Sequence, residues 1–146
     1  MVRRKPSSGE HLIFTETGPY LLPDVIRCEQ VERGRWTNEV VIRAETYKDL
    51  RLGIVLLAPA VASLLAAPLA EVPLEPATRI RPLPLPAPGK ILEIPLLTRF
   101  VCFRPPAPGY RIAEFLTEKD QRVLVPFSSD AYKQFLVLIE LFSAVH

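Results

Sequence analysis

Arginines and aromatic rings share three short stretches of this sequence: TRFVCFR with Arg99 and Phe103, YRIAEFL with Arg111 and Phe115, and GRWTNEVVIR with Arg35, Trp36 and Arg43. Successive side chains of a strand point to opposite faces. Strand alternation therefore puts Arg99 and Phe103 on one face, with Phe100, Cys102 and Arg104 on the other, and it groups Arg111 with Phe115. Arg27 falls on a neighbouring expected strand, while Arg79 and Arg81 lead into a proline-rich run. A sheet that offers guanidinium groups to phosphates and aromatic faces to bases suits single-stranded nucleic acid. The expected set is Arg27, Arg35, Arg43, Arg79, Arg81, Arg99 and Arg111 on phosphates, with Trp36, Phe103 and Phe115 stacking on bases. Core packing is the competing reading for every ring, and it takes Phe100, Phe127, Phe135 and Phe142 outright.

Other chemistries find little support. The two histidines, His11 and His146, lie near opposite ends of the sequence, so a Ser-His or Cys-His dyad would need a terminal segment at its centre. Cys28 and Cys102 form no CxxC or Cys/His cluster, which removes the structural zinc patterns, and two thiols or one disulfide both stay open. The six glycines are scattered and build neither GxGxxG nor GxxxxGK[ST]. Carboxylates sit among Arg and Lys, where surface ion pairing is the ordinary role. The expectation is a non-enzyme with no cofactor and no metal.

At 146 residues, 49% hydrophobic and 23% charged, the chain has the size and balance of one folded domain. A net charge of +2 neither demands nor excludes a polyanionic partner, so any basic site must be local. From Val72 to Tyr110 five cations (Arg79, Arg81, Lys90, Arg99, Arg104) face two anions (Glu75, Glu93). MVRRKPSSGEHL has charge but no apolar core of a secretory signal, so the expected compartment is the cytoplasm, with residues 1–10 a flexible basic arm and 11–146 a single α+β domain. LGIVLLAPAVASLLAAPLA, residues 52–70, carries no charge over nearly a membrane's thickness, but Pro59 and Pro68 break it, and a buried helix or helix pair is expected instead.

The elements follow from period and punctuation. DVIRCEQVERG and RWTNEVVIRAET read as two strands joined through Glu32-Arg33-Gly34, and YKDLRLGIVLLA as the start of a helix ending near Pro59. The order recurs later: YRIAEFLTE, a turn at Glu118-Lys119-Asp120, QRVLVPF, then a helix over SSDAYKQFLVLIELFSAV with Ser128 or Ser129 as cap. HLIFTET, RIRPLPLPAP and KILEIPLLTRFVCF add three more strands. The fold class is α+β: a mostly antiparallel sheet with two helical regions, in which the recurring order, with Tyr47-Lys48 set against Tyr132-Lys133, is either two degenerate sheet-then-helix units or a chance similarity.

In RIRPLPLPAPGK, Pro82, Pro84, Pro86 and Pro88 recur at every second residue. A polyproline ligand repeats its contacts as PxxP, whereas two is the period of a strand. Alternate prolines delete the N–H donors along one edge only, so the spacing favours a blocked edge strand over a covering loop or an exposed ligand.

YRIAEFLTEKDQRVLVPFSSDAYKQFLVLIELF resembles the closing half of a PUR-type repeat, a sheet-and-helix single-strand binder. The Pro/Leu/Arg-rich style of the whole chain resembles the thermophilic archaeal ThermoDBP group, and the single asparagine, Asn38, suits a thermophile. That resemblance implies sequence-tolerant, non-catalytic binding of single-stranded DNA or RNA in a basic, apolar cleft, by a monomer or small homo-oligomer. DNA and RNA stay equally open, since the choice rests on contacts to a 2′-hydroxyl. The rival expectation is a protein-interaction subunit that buries its apolar surface against a partner.

Overall fold

Alternation builds the longest strands. Glu39–Thr46 (EVVIRAET) buries Val40, Ile42, Ala44 and Thr46 and turns Val41, Arg43 and Glu45 the other way. The computed structural model describes residues 9–11, 18–33, 39–46, 50–68, 70–82, 91–105 and 110–145. Their order is β1 (Gly9–His11), β2 (Tyr20–Leu21), β3 (Val25–Arg33), β4 (Glu39–Thr46), β5 (Arg51–Leu57), α1 (Ala58–Ala66), β6 (Arg81–Pro82), β7 (Ile91–Glu93), β8 (Leu97–Arg104), β9 (Tyr110–Thr117), β10 (Arg122–Ser128) and α2 (Ser129–Val145).

The α+β class is as expected, and its long pairings are antiparallel: β3 with β4, β4 with β5, β8 with β9 and β9 with β10. Parallel seams join the two groups of three, Leu56 opposite Leu97 and Phe127 opposite Val25. The six strands thus pair in a closed circuit, β3-β4-β5-β8-β9-β10 and back to β3. Closure removes edges that would otherwise invite association. Inside sit Ile42, Ile54, Leu56, Phe100, Phe103, Phe115, Val125 and Phe127. β3, β5, β8 and β10 all run one way, so the helices that follow β5 and β10 lie at the same mouth, where Tyr132 and Phe135 of α2 meet Phe127.

The two units share one order of elements at a constant spacing. Glu39, Arg51 and Ala58 open β4, β5 and α1, and the residues 71 further on, Tyr110, Arg122 and Ser129, open β9, β10 and α2. Even the short strands obey it: Tyr20 and Leu21 of β2 correspond to Ile91 and Leu92 of β7, and Glu10 of β1 corresponds to Arg81 of β6. The initial strands are exchanged, since β1 and β5 of the first unit pair with β7 of the second, while β6 and β10 of the second pair with β2 of the first.

This register corrects three expectations. Residues 51–57 are strand and not helix: Leu52, Ile54 and Leu56 face the interior opposite Ala44, Ile42 and Val40. A short apolar run does not reveal its own period. Pro59 therefore opens α1 instead of ending a helix, in the first turn where its missing N–H costs nothing. Tyr47-Lys48 lies outside the described residues, and at the spacing of the two units its counterpart in the sequence is Glu118-Lys119 and not Tyr132-Lys133, with Thr46-Tyr-Lys-Asp-Leu-Arg51 matching Thr117-Glu-Lys-Asp-Gln-Arg122. Thr46 Oγ1 donates to the Leu50 carbonyl at 2.8 Å, and Thr117 Oγ1 accepts the Gln121 N–H at 3.2 Å.

Gly9 and Glu10 belong to β1, and residues 1–8 lie outside the described residues. KILEIPLLTRFVCF is two strands interrupted at Ile94-Pro95-Leu96. Of the proline run, Arg81 and Pro82 form the last strand on one side of the sheet, with the Arg81 N–H on the Pro19 carbonyl at 2.9 Å, as an edge requires. Residues 83–90 lie outside the described residues. No helix among the described residues is long and apolar enough to cross a membrane.

After α1 the chain returns across the outer face of β8 to β10. Val72 N–H donates to the Phe103 carbonyl at 2.8 Å, and Arg104 Nη1 donates to the carbonyls of Val72 and Pro73 at 3.1 and 3.0 Å. Arg104 is itself buried, and its Nε donates to Glu114 Oε1 at 2.9 Å. Glu114, 2% exposed, also accepts Arg122 through Nε at 3.1 Å and Nη2 at 3.0 Å, which holds the Arg122 guanidinium above its ordinary pKa. One carboxylate thus fastens two arginines and, through Arg104, the segment crossing above them.

Candidate functional site

The structure does not gather the expected arginines on one face. Arg27 is paired with Glu29 and Glu45 on the surface of the first unit. Arg43 reaches Glu93 at 3.4 Å over Gly53, which stands in register between them and has no side chain to block the pair. Arg79 and Arg99 are exposed and have no ion pair among the described residues, and Arg81 is exposed on β6. Arg35 and Trp36 lie outside the described residues.

Phe103 and Phe115 require correction. Each is 1% exposed, inside the closed circuit, so neither offers a face to a base. Alternation misled at Phe103 because β8 shifts register between Phe100 and Cys102: the extra residue lets Phe100 and Phe103, three apart, both turn inward, with ring centroids 5.1 Å apart. Arg99 stays outside and Phe103 does not share its face. Arg111 and Phe115 do share a face, but it is the interior one.

Of the expected cations, Arg27 and Arg111 line cavities, and of these two Arg111 has no ion pair among the described residues. The β9–β10 pairing places Arg111 opposite Phe127 and Tyr110 opposite Ser128, so the start of β9 meets the start of α2. Ser128 caps that helix, accepting the Ala131 N–H at 3.2 Å. Tyr110, Arg111, Ser129, Tyr132 and Lys133 line a cavity of about 220 Å³ there. The Arg111 guanidinium lies 5.3 Å from the Phe103 ring centre and 5.1 Å from that of Tyr132. Two rings thus hold the cation in place. It makes no ion pair or hydrogen bond among the described residues, so its N–H donors are free. Tyr132 is 8% exposed, and its hydroxyl also has no hydrogen-bond partner among the described residues. Burial raises the pKa of that hydroxyl, against the pull of Arg111, so at neutral pH it stays a protonated donor. Among the described residues, two cations without an ion pair, unmet donors and no lining carboxylate make a place for an anion. The helix start adds its own N–H groups and positive dipole end.

Tyr110, Ser129, Tyr132 and Lys133 were not in the expected set. The signal was present: a hairpin drawn from YRIAEFLTE to QRVLVPFS must bring Tyr110-Arg111 against the first turn of the following helix. Among the described residues no group of three or more His, Cys, Asp or Glu side chains is placed to hold a metal ion.

A second and larger hollow of about 640 Å³ lies between α2 and β3, lined by Arg27, Cys28, Glu29, Lys133, Gln134, Val137 and Leu138. Both cysteines are free thiols. Cys28 is buried against α2, its Sγ 3.5 Å from the Ala131 carbonyl, and burial pushes its pKa up to about 12. At pH 8 roughly one molecule in ten thousand would carry that thiolate. Cys102, half-buried, is raised less. A thiol reagent at pH 8 is therefore expected to modify native Cys102 first and Cys28 only on unfolding. Equal native rates, read by mass spectrometry, would contradict the placement.

No family model matches the chain, and no curated protein and no solved structure matches it.

Proposed function

We propose that this protein binds single-stranded nucleic acid without catalysis, taking phosphate groups at the Arg111 cavity. The observation that carries the reading is a guanidinium set against two rings with no anion beside it among the described residues. A structural arginine is ordinarily neutralised, as Arg104 is by Glu114. Lys133 supplies a second cation, and half-buried Tyr110 an aromatic surface at the rim. Exposed Arg79, Arg81 and Arg99 do not line the cavity and add to backbone attraction without reading sequence. DNA and RNA are both accommodated by this chemistry.

The test is fluorescence anisotropy with internally labelled DNA and RNA oligonucleotides over a salt series. Affinity is expected to fall as salt rises, and Arg111→Ala to weaken it about tenfold and reduce the slope of log K against log salt by about 1. Absence of binding to either strand type at low salt would sink the reading.

A second reading rests on α2. Val137 and Leu141, one turn apart, are 55% and 59% exposed beside the larger hollow, an arrangement suited to a protein partner. It would be favoured if a Val137→Asp, Leu141→Asp double variant lost a self-association or partner complex that Arg111→Ala keeps.

A further inference from the structure

We infer that the outward face of α2 is the joint of a symmetric pair, covered by the same face of a second copy of this chain running antiparallel to it. This rests on the protein-partner reading of α2 and is independent of the nucleic-acid reading. From Lys133 onward the exposed side chains of α2 among the described residues are Lys133, Gln134, Val137, Glu140 and Leu141, a stripe along one side of the helix. Val137 and Leu141 are the two most exposed large apolar side chains among the described residues, at 55% and 59%. The internal duplication shows that the fold does not need them. At the spacing of the two units, Lys133, Gln134 and Val137 correspond to Ala62, Ser63 and Ala66 of α1, which are also exposed but small and uncharged. α1 ends at Ala66, whereas α2 runs on past Val137 to Val145, so Glu140 and Leu141 have no helical counterpart. An apolar stripe that the core does not require marks a contact surface.

Charge selects the occupant and its direction. Lys133 and Glu140 flank Val137 on the two sides along the helix, and neither makes an ion pair among the described residues. At 1.5 Å of rise per residue they stand roughly 10 Å apart along the axis. A two-fold axis makes every contact occur twice, residue i of one copy with residue j of the other and the reverse. With the helices antiparallel and the axis beside Val137, each Lys133 stands level with Glu140 of the other copy, and the two Val137 side chains meet between the pairs. A parallel pairing would set lysine against lysine and glutamate against glutamate, which like charges oppose. The antiparallel register also brings Leu141 of each copy level with Lys133 of the other, beside the hollow of about 640 Å³ that Gln134, Val137 and Leu138 help to wall. A polyanion suits this face poorly, because Glu29 lines the hollow and Glu140 lies on the stripe. Lys133 lines both the hollow and the smaller cavity, but Arg111 lines only the latter, so pairing leaves the guanidinium of the strand-binding reading in place. One helix face is smaller than a standard interface, so the pair is a weak and reversible one.

The experiment is sedimentation velocity of the full chain over a concentration series from micromolar to near-millimolar at low salt. A monomer–dimer equilibrium is expected. Val137→Asp, which places a charge at the axis, is expected to raise the dissociation constant about tenfold or more. Lys133→Glu and Glu140→Lys are each expected to raise it about tenfold, because two attractive pairs become two repulsive ones. The double variant Lys133→Glu, Glu140→Lys restores both pairs and is expected to return to within about twofold of the original. All three positions are exposed, so the variants should fold, which an unchanged thermal transition at low concentration checks. Rescue by the double variant separates a self-pairing helix from a face built for a different protein. A chain that stays monomeric throughout the series overturns the proposed pair and leaves the α2 face to a partner of another sequence, so the two readings fail separately. Association that Val137→Asp leaves unmoved places the joint elsewhere and overturns it as well. Association that Val137→Asp weakens, but that the charge variants do not weaken singly and restore together, overturns the antiparallel arrangement.

Discussion

Replacing Glu114 with alanine is expected to cost about 3–5 kcal/mol of stability, the usual effect of removing one partner from a buried ionic group. Glu114 is 2% exposed and neutralises both Arg104 and Arg122. Without it Arg104 is a buried cation facing only the carbonyls of Val72 and Pro73. For a chain of this size the loss corresponds to a drop in Tm of roughly 10 °C. Glu114→Gln keeps the shape and one acceptor and is expected to fall between. The damage has a location as well as a size: residues 70–78 are held over the sheet partly through Arg104, so their amides should gain hydrogen exchange more than those of the β3–β4 hairpin. Thermal unfolding and exchange measured on the same variant check both parts, and a change in Tm below about 3 °C would show that the network contributes little.

Gly18→Ala is the second large effect, of about 3 kcal/mol. Gly18 has φ +85°, in the region that a side chain disfavours, and an added Cβ would lie 2.6 Å from the Arg122 carbonyl oxygen and 2.8 Å from the Tyr20 nitrogen. The conformation alone costs on the order of 1–3 kcal/mol for a residue other than glycine. The clash is with backbone and cannot be relieved by turning a side chain. β2 would be pushed from β10, and β6, which pairs only with β2 among the described residues, would follow. The Arg111 cavity lies at the other end of β10, so the variant is expected to lose stability in denaturant while its folded fraction binds as before. Gly53→Ala is the useful contrast: there the added carbon meets the ends of Glu93 and Arg43, which can move, and the cost should be nearer 1 kcal/mol.

The hairpin and helix from Tyr110 to Val145 were legible because two apolar runs of strand length flank the polar turn at Glu118-Lys119-Asp120 and are followed by apolar positions at helical spacing. β5 was not, because Leu-Gly-Ile-Val-Leu-Leu suits a buried strand as well as a buried helix and only its neighbours decide. The inward turn of Phe103 was hidden by a register shift that no residue type announces. The site divided along the same line. Arg111 was found from its company, but its cavity is completed by Ser129, Tyr132 and Lys133, 18 or more positions away and brought near by the hairpin, and Phe115 was misread because the same company also describes a core.

The exchange of initial strands makes the two halves of the chain mutually dependent in time as well as in space. The three-stranded group β3-β4-β5 can form early, but β2 and both outer neighbours of the group wait for β7, β8 and β10, which are made last. Contacts so far apart along the chain are entropically slow to form. A growing chain holding only the first 70 residues would expose apolar surface and open strand edges on both sides of that group. It would be in danger of pairing with its neighbours until the second half arrives to close it.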